Sequence, residues 1–270
     1  MHDHIRALVI GAHPDDCEYL AGGLAVKYRA LGHTVKFVSM TDGGAGHHSM
    51  DPAALVLRRQ GEADRATGTV GVECAVLGSP DGRLQADVAT REALICLIRE
   101  FAPDLIFTHR TNDYHPDHRN TATLVQDCSY LVRVPLVCPT VPIVAETPVI
   151  LYLYDHFRKP VPFAPDVAVA IDDVFDTKMK MLDAHESQFY EWLPFVAGYA
   201  DEVPSGAAER LAWFTGRMRE HDAGVAASCR GQLVGRYGPA GETVRCAEAF
   251  EVSEYGRPLP KAEIDDWIPR

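Results

Sequence analysis

Two short stretches of this chain concentrate side chains that can hold a metal ion or move a proton. One is Ala12-His13-Pro14-Asp15-Asp16-Cys17-Glu18; the other runs Thr108-His109-Arg110-Thr111-Asn112-Asp113-Tyr114-His115-Pro116-Asp117-His118. Each follows an apolar run directly. His13, Asp16 and His118 make a three-ligand set, two imidazoles and a carboxylate, with coordination positions left over; that is the pattern of catalytic rather than structural zinc. Ferrous iron suits the same donors. Asp15, beside a ligand, is a candidate base for water acidified by the metal, or else the cap of the following helix. A dinucleotide site would place a glycine-rich turn here for a pyrophosphate. The adjacent aspartates would repel phosphate, which excludes that chemistry.

The elements around these stretches must bring them together. Residues 6–12, 34–40, 73–77 and 104–109 read as short buried strands, and residues 19–31, 52–67 (capped by Asp51), 88–101 and 116–132 as helices between them. This alternation predicts an α/β fold, a Rossmann-like, doubly wound and mostly parallel sheet with helices on both faces. Ligands of such sheets bind beyond the carboxyl ends of the strands where strand order reverses. Strands one and four are then expected to be neighbours, which lets His13, Asp16 and His118 converge. Seven prolines fall between Pro135 and Pro165, so this stretch is read as a surface excursion or a wall over the site, with one strand at 149–154. Helices are expected at 174–188 and 206–221, and irregular strands in the last 45 residues. A single domain over residues 1–270 is expected, with its core at about 5–190 and a C-terminal extension at about 191–270.

Composition narrows the function classes. Hydrophobic residues make up 47% and charged residues 24%, as in ordinary globular chains. The net charge of −12 and the lack of a basic stripe argue against nucleic acid and anionic membranes. Seven cysteines without a C-x-x-C pair suit a reducing compartment. With no secretory signal and no long apolar run, the expectation is a cytoplasmic protein without membrane insertion. Cys17 is read as a packing thiol, Tyr114 as a packing aromatic, and His109 and His185 as strand-end or helix-face residues.

The two motifs, in this order, resemble the LmbE/PIG-L-like family of zinc-dependent N-deacetylases. Thr41-Asp42-Gly43-Gly44-Ala45-Gly46, Arg59-x-x-Glu62-Ala63, Asp81-Gly82 and His185-Glu186-Ser187-Gln188 add to the resemblance, which covers about residues 5 to 190. It implies a hydrolase that removes an acetyl group from an N-acetylglucosamine-type sugar or its conjugate. His13, Asp16 and His118 would ligate Zn2+, with Fe2+ as the other option, and Asp15 would be the general base for the attacking metal-bound water. The resemblance assigns His115 to the substrate oxyanion as an imidazolium, with Asp117 orienting and charging it. Arg59 would contact substrate, or pair with Glu62 on the helix surface. Where some relatives carry a tyrosine two residues before His115, this chain has Asp113, assigned to a sugar hydroxyl or the helix cap. The alternatives are an amidase on another conjugate and a non-catalytic sugar-binding protein. Relatives often assemble, so a homo-oligomer is an expectation too.

Overall fold

The computed structural model describes residues 2–270. Its strands are β1 (Arg6–Gly11), β2 (Thr34–Thr41), β3 (Glu73–Ser79), β4 (Leu105–Thr108), β5 (Val149–Leu153), β6 (Val167–Ala170) and β7 (Ala247–Val252). They form one sheet in the order β3-β2-β1-β4-β5-β7-β6. The neighbours from β3 through β5 are parallel, and β7 lies antiparallel to both β5 and β6. Strand order reverses between β1 and β4, whose register pairs Ile10 with Thr108. The carboxyl ends of these two strands therefore open side by side, each leading into one of the two motifs.

Period-two alternation explains how both faces are covered. Ala7, Val9, Leu105, Phe107 and Leu151 point to one face, where they pack with α1 (Asp16–Ala30), α2 (Pro52–Gly68) and α5 (Phe175–Asp183). Leu8, Ile10, Ile106 and Ile150 point to the other, against α3 (Val88–Phe101) and α4 (Pro116–Leu131). Asp51 caps α2 by accepting from the amides of Ala53 and Ala54, and Asp87 caps α3 through Thr90.

The second half departs from the expected elements. The helix expected at 174–188 stops at Asp183; a π-helical turn (Ser187–Trp192) and α6 (Leu193–Ala197) follow. The next helix, α7 (Ala207–Ser228), is longer than expected, and α8 (Arg230–Tyr237) and α9 (Ile264–Trp267) lie in or near the tail. In place of irregular strands, the last 45 residues give one strand, β7, inserted into the main sheet between β5 and β6. Glu248 of β7 accepts from the amides of Gly23 and Leu24 and pairs with Lys178 at 3.0 Å, locking the tail to α1 and α5.

The proline-rich excursion is anchored by Arg99. Its guanidinium donates to the carbonyls of Leu131, Val132, Val134, Val137, Cys138 and Val141 at 2.6–3.2 Å. The chain there has no regular ladder: this one cation serves the carbonyls of Val132, Val137 and Val141, while those of Leu131, Val134 and Cys138 also accept turn amides. Arg99→Ala is expected to lower stability by about 3 kcal/mol or more, since several buried acceptors lose a charged donor. Urea unfolding with an unchanged m-value would check this.

Candidate functional site

The turn after β1 is built by one carboxylate. Asp16 Oδ2 accepts from the amides of Ala12 at 2.9 Å and His13 at 2.8 Å, folding the turn back over the strand end. Gly11 allows the approach, because a Cβ there would lie 2.7 Å from Asp16 Cβ. Asp15 then takes φ 155°, which is unfavourable for any residue with a side chain. It stands at the cap position of α1, but its side chain makes no capping hydrogen bond. The two adjacent aspartates thus point to different tasks.

The segment from the end of β4 into α4 supplies His109, His115 and His118, which meet His13 from the turn after β1. His118 Nδ1 lies 3.1 Å from Asp113 Oδ2, and His13 Nε2 lies 3.2 Å from Asp81 Oδ1 and 3.5 Å from Asp117 Oδ2. An imidazole that donates one ring N–H to a carboxylate keeps the lone pair of its other nitrogen free. Those other nitrogens face each other: His118 Nε2 is 3.3 Å from His13 Nδ1, and Asp16 Oδ2 is 3.6 Å and 3.5 Å from them. Donors about 2.0–2.2 Å from a tetrahedral ion stand roughly 3.3–3.6 Å apart. The triangle therefore fits a single divalent cation.

His109 also belongs to this centre, contrary to its expected role as a bystander. It is buried, its ring stacks on His118 with centroids 4.0 Å apart, and its Nε2 lies 3.2 Å from Asp16 Oδ2. Donor atoms of Asp16, His109 and His118 lie within 4.8 Å of one another, as do those of His13, His115 and His118. Of these histidines, His13 and His118 have the carboxylate partners that aim a lone pair into the triangle.

Other candidates sit differently from expectation. Asp117 does not orient His115: its carboxylate accepts from the amides of Gly82 at 2.7 Å and Leu84 at 3.2 Å and faces His13. His115 is the N-cap of α4, with Nδ1 accepting from the Asp117 amide at 3.2 Å. That leaves Nε2 to carry the proton of a neutral ring. Burial, with His13 and His118 nearby, holds His115 below the ordinary imidazole range, which opposes the expected imidazolium. Asp113 is occupied by the His115 amide as well as His118, so it positions a donor and does not present itself to a sugar hydroxyl. Tyr114 is 69% exposed at the mouth of the cavity and is not a packing aromatic.

Arg59 is not on the helix surface. It is buried, donating from Nη2 to Pro14 O at 2.8 Å and Asp15 Oδ1 at 2.9 Å and from Nη1 to Gly43 O at 3.3 Å. Gly43 has φ +69°, and a Cβ there would meet the guanidinium at 2.5 Å. Glu62 is engaged by Arg58 and Ser187 instead. Burial pushes the Asp15 carboxyl up to about 6, with Arg59 opposing the rise. Beneath it lies His185, fully buried and 3.4 Å from Glu18. Cys17 packs as expected, and burial pushes its thiol up.

His13, Asp15, Asp16, Arg59, Asp81, His109, Asp113, His115 and His118 open into one cavity of about 600 Å³, while Asp117, His185 and Cys17 lie behind its lining. Asp155, His156 and Phe157 of the excursion form part of its wall, held by a two-pronged pair between Asp155 and Arg110 at 2.6 Å. Among the described residues no helix is long and apolar enough to cross a membrane.

Residues 8–129 match a family model described as PIG-L, GlcNAc-PI de-N-acetylase. Diacetylchitobiose deacetylase of Thermococcus kodakarensis is 28% identical over 211 residues, covering 72% of this chain and 76% of its own. A 4-oxalmesaconate hydratase of Pseudomonas putida is 25% identical over 195 residues, 69% of this chain and 75% of its own. The solved structure of N,N'-diacetylchitobiose deacetylase from Pyrococcus horikoshii shares the fold. It aligns with a TM-score of 0.71 at 24% identity, over 93% of this chain and 84% of that one.

Protons and a cation compete for the centre. Burial lowers His13, but hydrogen bonds with Asp117, Asp16 and Asp81 raise it well above 6.5; His118 is raised against burial by Asp16 and Asp113. In the cation-free protein these raised values contribute stability that is complete below about 6.5 and lost as pH climbs through them. A cation needs the deprotonated rings, so its stabilisation grows in the same direction. The increase in Tm on adding zinc is expected to be larger at pH 8 than at pH 6; an equal increase would contradict this assignment. Asp113→Asn is expected to weaken cation binding by about 10–100-fold, read from a chelator competition.

Proposed function

Because residues 8–129 of this chain form a PIG-L family domain, we propose that the protein is a zinc-dependent hydrolase. It removes an acetyl group from an N-acetylated amino sugar or its conjugate. The observation that carries this reading is the donor triangle of His13, Asp16 and His118 beside a half-buried carboxylate, Asp15, that makes no capping hydrogen bond. Ferrous iron suits the same donors. A divalent cation held there polarises a carbonyl oxygen and acidifies water.

The chain's own residues supply the rest. Asp15, held by Arg59 and raised by burial, takes a proton from the attacking water and returns it to the leaving amine nitrogen. His115, neutral and with its proton on Nε2, donates to the carbonyl oxygen as negative charge builds there. Asp81 and Asp113 keep the two ligand imidazoles in one tautomer and orientation.

The hydratase relative raises a second reading, water added across a carbon–carbon double bond of an anionic acid. The charge around the centre favours the neutral substrate. Asp15, Asp16, Asp81 and Asp113 line the inner site, while Arg59 and Arg110 are already paired with Asp15 and Asp155. Apart from the bound cation and Arg217 at the rim, an anionic acid would find no unpaired arginine or lysine among the lining residues.

Free amine and acetate released from N-acetylglucosaminides by zinc-loaded protein test the proposal. Asp15→Asn is expected to lower kcat by about 10²-fold or more with the cation still bound. Asp15 must be ionised to accept a proton, so activity falls as pH drops through its value. A bound cation pulls that value down, placing the acid limb of kcat/KM at or below about 6. Undiminished release by Asp15→Asn, or hydration of an unsaturated acid with no amine release, would overturn the proposal.

A further inference from the structure

The cavity has two unlike halves. Around the donor triangle its lining is carboxylate and imidazole. The opposite wall comes from α1, the π-helical turn, α6 and α7; its apolar patch is Leu20, Phe189, Leu193, Trp213, Phe214 and Met218, with Tyr19, Gln188, Arg217 and His221 at its margins. Phe189, Phe214 and Met218 are buried and continuous with the main core, so this floor is fixed in place. Phe189 and Phe214 have ring centroids 4.8 Å apart.

The rim is braced as well. The Arg217 guanidinium lies 4.0 Å from the Tyr199 ring and 5.2 Å from the Trp213 ring, tying both aromatics to one side chain. Outside the cavity lie the exposed Phe195 and Val196 of α6, and Phe195 stacks on Trp192 of the cavity lining with centroids 6.1 Å apart. Isolated exposed apolar groups need no explanation, but a patch continuous with an apolar cavity wall marks a binding surface.

Resting on the deacetylase reading, we infer that this half is a subsite for a planar apolar aglycone attached to the N-acetylated sugar. The volume of about 600 Å³ is in the range of sites that bury a drug-sized ligand, so room remains beyond a single hexosamine. A second sugar ring would bring hydroxyls round its whole perimeter, and each needs a partner once buried. Leu20, Phe189, Leu193, Phe214 and Met218 have no polar side-chain atom with which to meet them. An aromatic aglycone loses little on desolvation and gains from ring contacts.

The test compares methyl, phenyl and N-acetylglucosaminyl glycosides of N-acetylglucosamine as substrates of the zinc-loaded protein. Free amine gives kcat/KM. The phenyl glycoside is expected to exceed the other two by about tenfold or more. Trp213→Ala is expected to bring the phenyl-to-methyl ratio close to one. Leu193→Asp, at a position already 39% exposed, repeats the test with little burden on folding. Equal values for all three glycosides overturn the aglycone subsite and leave the deacetylase reading standing. A preference for the disaccharide overturns it in favour of a second sugar.

Release from none of the three rejects the deacetylase reading, and quenching of tryptophan fluorescence then decides the subsite alone. Tighter binding of phenyl than methyl glycoside, weakened by Leu193→Asp, supports it. Equal binding overturns it.

Discussion

The site depends on the Asp16 carboxylate folding back onto the end of β1. One oxygen accepts the amides of Ala12 and His13 and lies against His13, His109 and His118. Burial would push such a carboxyl up, but the surrounding His118 and His109 hold it well below the usual carboxylate range. It therefore stays charged where an uncompensated charge would be costly. The same group shapes the turn, ties β1 to the loop after β4, and leaves Asp15 facing the cavity. Its geometry needs the parallel contact of β1 with β4, which is the point where the sheet reverses its strand order.

The two halves of the cavity have separate origins in the chain. The polar half comes from the loops of β1, β3 and β4, all within the first half of the sequence. The apolar half comes largely from residues after Asp183, held by the π-helical turn and α7. A buried cluster of Lys178, Asp222 and Glu248 joins the two regions, linking α5 to α7 and β7 while Glu248 grips the amides of α1. Burying these charges brings no assured gain in stability, but removing one member would strand its partners. The cluster sets the position of the apolar wall relative to the chemistry.

Local sequence carried the first half of the fold well. The strands are short apolar runs, the helices have caps such as Asp51, and the motifs sit where a parallel sheet places its ligands. His13, Asp16 and His118 were legible because metal chemistry limits which residue types can serve. What escaped was set by distant partners. Arg59 reads as a substrate contact or as the mate of Glu62, one turn away, but it is paired with Asp15 in another loop. Asp81 sits far from His13 in sequence, and His109 looked like an ordinary strand-end residue. The strand β7 was hidden because Glu248, directed inward to Lys178, breaks its apolar pattern. The missing signal in each case was a charge pair that closes only in three dimensions.

Asp15 combines an unfavourable backbone torsion with a desolvated carboxyl. Each feature makes the folded chain less stable than it would be with a residue suited to the position. Glycine is the residue that this backbone accepts most readily, and it would also delete the side chain on which the chemistry relies. Selection for robustness alone would drift toward an inert protein at this position. An aspartate that persists in related chains at this torsion would therefore record selection on turnover, and a directed-evolution screen for heat tolerance without an activity filter should lose it early.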